Sequence, residues 1–265
     1  MQIKLTTPLL VLALSAFAFM GCDGYHTRIH SLNMTIAEAP EVHGANTSQS
    51  AHSASWRFTG KVNSNSREDV TKTVKGTSYA SDNTKVTYKL GGTDFSAKAD
   101  FLYKLDGFTF GTGAGFKDGL YHHFTLGANL QYFEFGFFFG FFHQYNNVKY
   151  VGSKCQYIYH LFTETEEDCQ SFSDDRDIIT TSPFMGSYAG IMIDNFFINY
   201  SVGVYKPSVD IEKSSLDLAI ITTQYITIGY RINRRIELSL GAVINYMDIP
   251  HWNYGFTGGL SFYAM

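Results

Sequence analysis

Only a few side chains in this sequence are spaced so that they could do chemistry together. His123 and Thr125 stand two apart in an alternating stretch, which puts an imidazole and a hydroxyl on one face. That is the minimum for a base-activated nucleophile, but no glutamate that would orient the imidazole is identifiable. Asp174, Asp175 and Asp177 share one connection with His143 and bring carboxylates near a base. Such a set can activate water, although an acidic run is more often a solvated loop. His26, His30, His43 and His52 fit no zinc spacing and have no Cys or carboxylate cluster beside them. No metal and no cofactor is read from them. Of three cysteines, Cys155 and Cys169 flank an acidic stretch, residues 156–168, and can close it as a disulfide in an oxidising compartment. Cys22 is left over.

The elements that must position these groups are read from composition first. The chain has 265 residues, enough for one large domain. Charged residues make up 17%, below the roughly 25% of soluble domains. Aromatics reach 16%, with 23 Phe and 18 Tyr, beside 24 Gly and 5 Pro. A net charge of -4 and a pI near 6.1 exclude the basic patch or stripe that nucleic acid demands. After residue 25 no apolar run is long enough for a spanning helix. What remains is a β protein rich in Phe, Tyr and Gly.

The N-terminus reads as an address. Lys4 supplies a positive n-region, and residues 9–19 form an apolar stretch too short to span, so residues 1–21 are expected to be a signal peptide. Gly21 before Cys22 resembles the bacterial lipobox, with Phe19 and Met20 in place of its usual Leu and small residue. The resemblance implies that Cys22 is lipidated and becomes the mature N-terminus. The alternative is an ordinary signal peptide cut nearby. Residues 22–53 carry Ser, His, Ala, Asn and Thr without periodicity, which predicts a lipid-anchored, flexible periplasmic tether.

From residue 94 onward, period-2 segments follow one another. Phe95, Ala97, Ala99, Phe101, Tyr103 and Leu105 oppose Ser96, Lys98, Asp100 and Lys104. Phe133, Phe135, Phe137, Phe139 and Phe141 oppose Glu134, Gly136 and Gly140. Ile226, Ile228 and Tyr230, with Leu218 and Ile220 before them, oppose Thr223, Tyr225, Thr227 and Arg231. Ile236, Leu238, Leu240, Ala242 and Ile244 oppose Glu237, Ser239, Gly241 and Asn245. The apolar faces carry no charge. A solvated sandwich face should be dense in Lys and Glu, whereas here the second face is mostly Gly, Ser, Thr and Asn. Small residues suit a crowded lumen and large aromatics suit lipid, where a Lys or Arg costs roughly 2–4 kcal/mol at the midplane. Pro183, Pro207 and Pro250 are all expected between strands.

Connections support the same reading. Asp106-Gly107, Tyr132-Phe133, Asp194-Asn195 and Asn233-Arg234 are tight, while residues 143–183 and 206–215 form longer loops. Nine strands from residue 94 leave an odd count, and such barrels have even numbers. Trp56, Phe58 and Val62 supply the missing strand. Val86, Tyr88 and Leu90 then extend the strand from residue 94 past a bulge at Gly91-Gly92. The expectation is all-β: an antiparallel, up-and-down transmembrane barrel of ten strands over residues 54–265, with eight or twelve as alternatives.

At this point the chain resembles bacterial outer-membrane β-barrel proteins of small to medium size. Gly259-Leu260-Ser261-Phe262 resembles the closing aromatic strand that the barrel-assembly machinery recognises, with three residues beyond it. The resemblance implies outer-membrane lipid as surroundings, short turns and the N-terminus in the periplasm, and long loops outside. Lys98, Asp100, Lys104, Glu134, Arg231 and Glu237 project to the periplasmic end of the lumen, both signs together, where burial demands pairing. Phe138, Phe142, Tyr188 and Phe197 also point inward, so the lumen is expected to be largely filled. His123-Phe124-Thr125 resembles the His-x-Ser arrangement of outer-membrane lipid A deacylases, with Thr in the Ser position. Parity turns His123 to the lumen, whereas those enzymes work on the lipid side. The acids near His143 resemble the paired acids of outer-membrane proteases. Neither set completes a nucleophile, base and orienter, so no enzyme is read. A plugged structural barrel that offers residues 143–183 to a surface partner is expected, a loop of about 40 residues being long enough to suggest function. A narrow porin-like channel and a lipid-modifying enzyme are the alternatives.

Overall fold

The computed structural model describes residues 26–42, 52–75, 83–130, 132–158, 166–211, 214–216, 218–233, 235–248 and 251–264. The expected signal peptide, residues 1–21, and Cys22 lie outside them. Alternation over most of the chain produces strands: β1 (His26–Thr35), β2 (His52–Lys75), β3 (Asn83–Leu105), β4 (Phe108–Phe116), β5 (Gly119–Asn129), β6 (Phe133–Ile158) and β7 (Glu166–Ile193). The remainder are β8 (Phe196–Tyr205), β9 (Asp210–Ile211), β10 (Ser214–Ser215), β11 (Ile221–Asn233), β12 (Ile236–Met247) and β13 (His251–Ala264).

Strands β2 to β8 and β11 to β13 form one closed ring, each antiparallel to the next. β13 closes it on β2, with Phe262 opposite Phe58. The ten-stranded up-and-down barrel expected from alternation is therefore the observed architecture. Asp106 (φ 44°) and Gly107 (φ 87°) make the first tight turn, both residues in the left-handed region that two-residue hairpins need. At the expected bulge, Ser66 and Arg67 sit opposite Gly91 between the pairs Asn65↔Gly92 and Glu68↔Leu90. Gly91 has φ +77°, and a Cβ there would overlap the Ser66 carbonyl, so only glycine fits.

Parity places large apolar side chains outside: Phe256 is 77% exposed, Leu240 69% and Phe137 68%. Inside, Phe138, Phe142, Tyr188 and Phe197 are buried, as expected. The small residues beside them are required by sterics. A Cβ on Gly136 would come within 2.5 Å of the Tyr188 hydroxyl.

Four expectations are corrected. Within residues 143–183, the described residues 143–158 and 166–183 are strand and not loop. β6 and β7 run on as a tall hairpin, with Asn147↔Asp177 and Lys149↔Asp175 among its rungs. Its outward face is mostly polar and exposed, and its inward face mixes the polar Gln144 and Asn146 with Val148 and Tyr150, all buried in the core above the ring, so no regular apolar face marks the alternation. Pro183 lies within β7, opposite Phe141, one rung beyond the last β7–β8 pair, Phe184↔Tyr205. No β8 ladder partner is needed there, so the missing N–H is tolerated. Leu218 is not on the outer face of a strand: β11 begins at Ile221, and Leu218 is buried with Val209, Ile211 and Leu216 in a connection folded over the barrel mouth.

The fourth correction concerns the flexible tether. Residues 26–42 are built into the fold. β1 pairs antiparallel with β6, from His26↔Cys155 to Asn33↔Lys149, and parallel with β3, from Ser31↔Lys85 to Thr35↔Lys89. It fills the slot above the short β4–β5 hairpin, where β3 and β6 rise beyond their ring neighbours, and covers two strand edges that would otherwise be open to pairing. Leu32 and Met34 pack with Val70, Val86 and Tyr88 into a core above the ring. Each such fully buried aliphatic side chain contributes about 1.5–3 kcal/mol.

Candidate functional site

The lumen brings together groups that are far apart in sequence. Inward parity on β2 and β3 sets Arg57 against Asp100. Arg57 Nε and Nη2 donate to Asp100 Oδ2 at 3.1 and 2.7 Å. Lys98 Nζ lies 3.6 Å from the same oxygen, and His123 Nε2 lies 3.4 Å from Oδ1. Two strands farther round the ring, on β11 and β12, Arg231 Nε and Nη2 donate to Glu237 Oε2 at 3.1 and 2.5 Å. The Tyr263 hydroxyl donates to the Glu237 carboxylate at 3.0 Å, and its ring lies under the Arg231 guanidinium. Lys104 donates to Asn129 Oδ1 at 3.1 Å, and Asn129 Nδ2 reaches Glu134 Oε2 at 3.4 Å.

All six expected lumen charges therefore lie inside the ring, five of them buried and Lys104 half-buried. Arg57 and Lys61, both buried on β2, were missing from the expected set. Arg57 is fully buried, and it is the principal partner of Asp100. The signal was present, since Trp56, Phe58 and Val62 alternate with them on the opposite face.

Above this layer the N-terminal segment enters the lumen. Residues 36–42 are buried throughout. Glu38 pairs with Lys117 and accepts from Asn245 Nδ2 at 2.8 Å. Glu41 receives Lys61 Nζ at 2.6 and 2.7 Å. The backbone is held as well. Ala37 O accepts from the Tyr205 hydroxyl at 2.6 Å, Ala39 O from Tyr225 at 2.8 Å, and Glu41 O from Lys98 at 3.1 Å. Ala39 N donates to Thr223 Oγ1 at 2.9 Å. A bare carboxylate in such a space would cost several kcal/mol, and each is met by an ammonium and aligned donors.

Two arrangements could do hydrolytic chemistry, and their geometry is specific. Asp100 beside His123 supplies the orienting acid that sequence did not disclose. Among the described residues, however, no side chain reaches His123 Nδ1 within hydrogen-bond distance. Thr125 Oγ1 is likewise without such a partner, so the nucleophile–base contact is absent here. On the tall hairpin, His143 bonds Thr181 while Asp177 bonds Asn147 farther up, so the acids and this base are not convergent. The Asp175 amide and then the Arg176 guanidinium hold the Asp174 carboxyl below the ordinary carboxylate range, and Asn147 does the same for Asp177. Both are ionised at neutral pH, which suits a solvated surface better than proton donation. Cys155 and Cys169 face each other across β6 and β7 and are joined as a disulfide. Among the described residues no cluster of three or more metal-ligating side chains is found.

No family model and no curated protein matches this chain. Solved structures similar to it include the outer membrane protease OmpT from Escherichia coli, at 11% identity and a TM-score of 0.39, covering 80% of this chain and 96% of that one. An outer membrane channel from Pseudomonas putida F1 is 12% identical with a TM-score of 0.41, covering 84% and 99%. The P. putida toluene transporter TodX is 8% identical with a TM-score of 0.31, covering 79% and 89%.

Proposed function

We propose that this chain is a β-barrel of the bacterial outer membrane, closed in the described conformation by its own N-terminal segment, which holds a tall wall at the cell surface for a partner to engage. The membrane assignment is supported by the outward face. Within the ring it carries Phe, Leu, Ile, Val, Ala and Met and no Asp, Glu, Lys or Arg. Aromatic residues mark both margins, with Trp56 and Phe262 near the short turns and Tyr246 packed at a tilt against Trp252 near the other end. Taking the short turns as periplasmic, the hairpins β2–β3 and β6–β7 rise on the extracellular side, with β1 between them. The disulfide Cys155–Cys169 braces the taller hairpin, and a partner would find its polar faces there.

A lipid on Cys22 remains part of this reading, but its place changes. Cys22 is four residues from His26, a span of at most about 14 Å. His26 pairs with Cys155 near the hairpin tip, so a lipid there would lie on the extracellular side and not in the periplasmic leaflet.

The observation that carries the closed reading is the ion-paired passage of Glu38 to Glu41 through the lumen, which fills the path that water would take. Planar-bilayer recording on the refolded, intact chain tests it. The expected result is silence, and stable ion-conducting steps would favour a channel instead.

A further inference from the structure

Residues 36–42 fill the upper lumen with both apolar and charged groups. Ile36 and Val42 anchor its ends in the hydrophobic core, and between them lie Ala37, Ala39, Pro40 and two glutamates whose carboxylates lie among donors. The wall reads this segment the way a receptor reads a peptide. Tyr205, Tyr225 and Lys98, from β8, β11 and β3, donate to the carbonyls of residues 37, 39 and 41 in turn. Thr223 accepts from the amide of residue 39. Recognition of alternate carbonyls is what an extended backbone permits, and Pro40, lacking an N–H, leaves no donor unmet. The backbone contacts would accept any extended chain.

Side-chain selection is added by the cations. Lys117 and Asn245 take the carboxylate of Glu38, and Lys61 takes that of Glu41. The wall has acids of its own. Asp100 is engaged by Arg57 and Lys98, and Asp94 and Asp118 lie near enough to Lys117 to act on it. None of these replaces Glu41 at Lys61. The space left beside Glu41 is about 10 Å³, room for no more than about one water. Small residues are selected at position 39, whose Cβ lies 3.0 Å from where a Cβ on Gly203 would stand.

We propose that the upper lumen is a binding site for extended acidic peptides, with carboxylates three residues apart, which residues 36–42 occupy in the described conformation. A peptide of that kind enters from the long-hairpin side when the chain's own segment withdraws. The site goes beyond the closed, surface-displaying barrel argued above; it rests on the same lumen position of residues 36–42, and binding of a separate peptide tests it apart from closure.

The test uses the full chain, refolded in detergent, with residues 36–42 replaced by an equal length of Gly and Ser so that β1 stays in place. The probe is a fluorescein-labelled peptide with the sequence of residues 35–42, compared with a peptide carrying Gln at both acidic positions. Fluorescence anisotropy should show saturable binding of the acidic peptide at least tenfold tighter than of the Gln peptide. Lys61→Gln with Lys117→Gln in the same background should remove that preference, and the intact chain should bind neither peptide. Absence of saturable binding, or equal affinity for the two peptides, would overturn the site even if the intact chain is silent in bilayers. Heat-modifiable migration on gels reports whether the replaced chain folds. If it does not, Glu38→Gln/Glu41→Gln in the intact chain serves, and failure of the acidic peptide to displace the weakened segment overturns the proposal.

Discussion

Asp100 organises the lower lumen. It is buried, and Arg57, Lys98 and His123 converge on its two oxygens from three strands. Removing one member of a buried pair leaves an uncompensated charge, whereas removing both does not. Arg57→Ala is therefore expected to lower unfolding stability by about 3–5 kcal/mol, and Arg57→Met with Asp100→Leu by far less. Urea titration of the refolded barrel measures both, and a loss of less than about 0.5 kcal/mol for Arg57→Ala, the scale of surface changes, would contradict the burial of this pair. The lumen charges were legible because a period of two assigns every residue of a strand to a face, whatever its partner. Their pairing was not legible, since Arg57 and Asp100 meet only when β2 lies beside β3 in register. The orienting contact of Asp100 with His123 was hidden for the same reason.

At the scale of elements, strands whose outer face meets hydrocarbon announce themselves and strands whose outer face meets water do not. The ring portion of β6 alternates Phe with Gly or Glu, while its upper part mixes Asn, Lys, Tyr and Ser on both faces and reads as a loop. β1 was harder still. Ile29, Leu32 and Met34 are its buried residues, but a register shift between Ile29 and Ser31 breaks the alternation after one step. The bulge at Gly91-Gly92, by contrast, was legible, because paired glycines weaken a strand interior and so mark a place where the ladder bends. The position of β1 carries its own prediction. An epitope inserted just before His26 is expected to bind antibody on intact cells, because β1 starts beside Cys155 at the tall hairpin. Binding only after the outer membrane is permeabilised would place the segment on the other side.

For the molecule as a whole, the contents of the two faces settled the class. Aromatic and aliphatic residues outside with small and polar residues inside are the reverse of a soluble sandwich, and the even-number rule brought the count to ten strands. The occupant of the lumen could not be seen in advance. Residues 36–42 are enclosed on every side by β2, β3, β8, β11 and β12 and the β4–β5 turn, so they have no outer face and hence no period. Only the closed ring shows that Glu38 and Glu41 have cations waiting for them.

That occupancy is the claim on which the closed barrel and its peptide site both rest, and a covalent trap tests it directly. The Cβ of Ala39 lies 3.0 Å from an ideal Cβ on Gly203, close to the roughly 3.5–4.5 Å that a disulfide spans. In the Ala39→Cys/Gly203→Cys chain, oxidised and mapped by mass spectrometry, a bond between positions 39 and 203 is the predicted result. Oxidation that joins Cys155 to Cys169 yet leaves those two positions unlinked would mean that the N-terminal segment does not lie in the lumen.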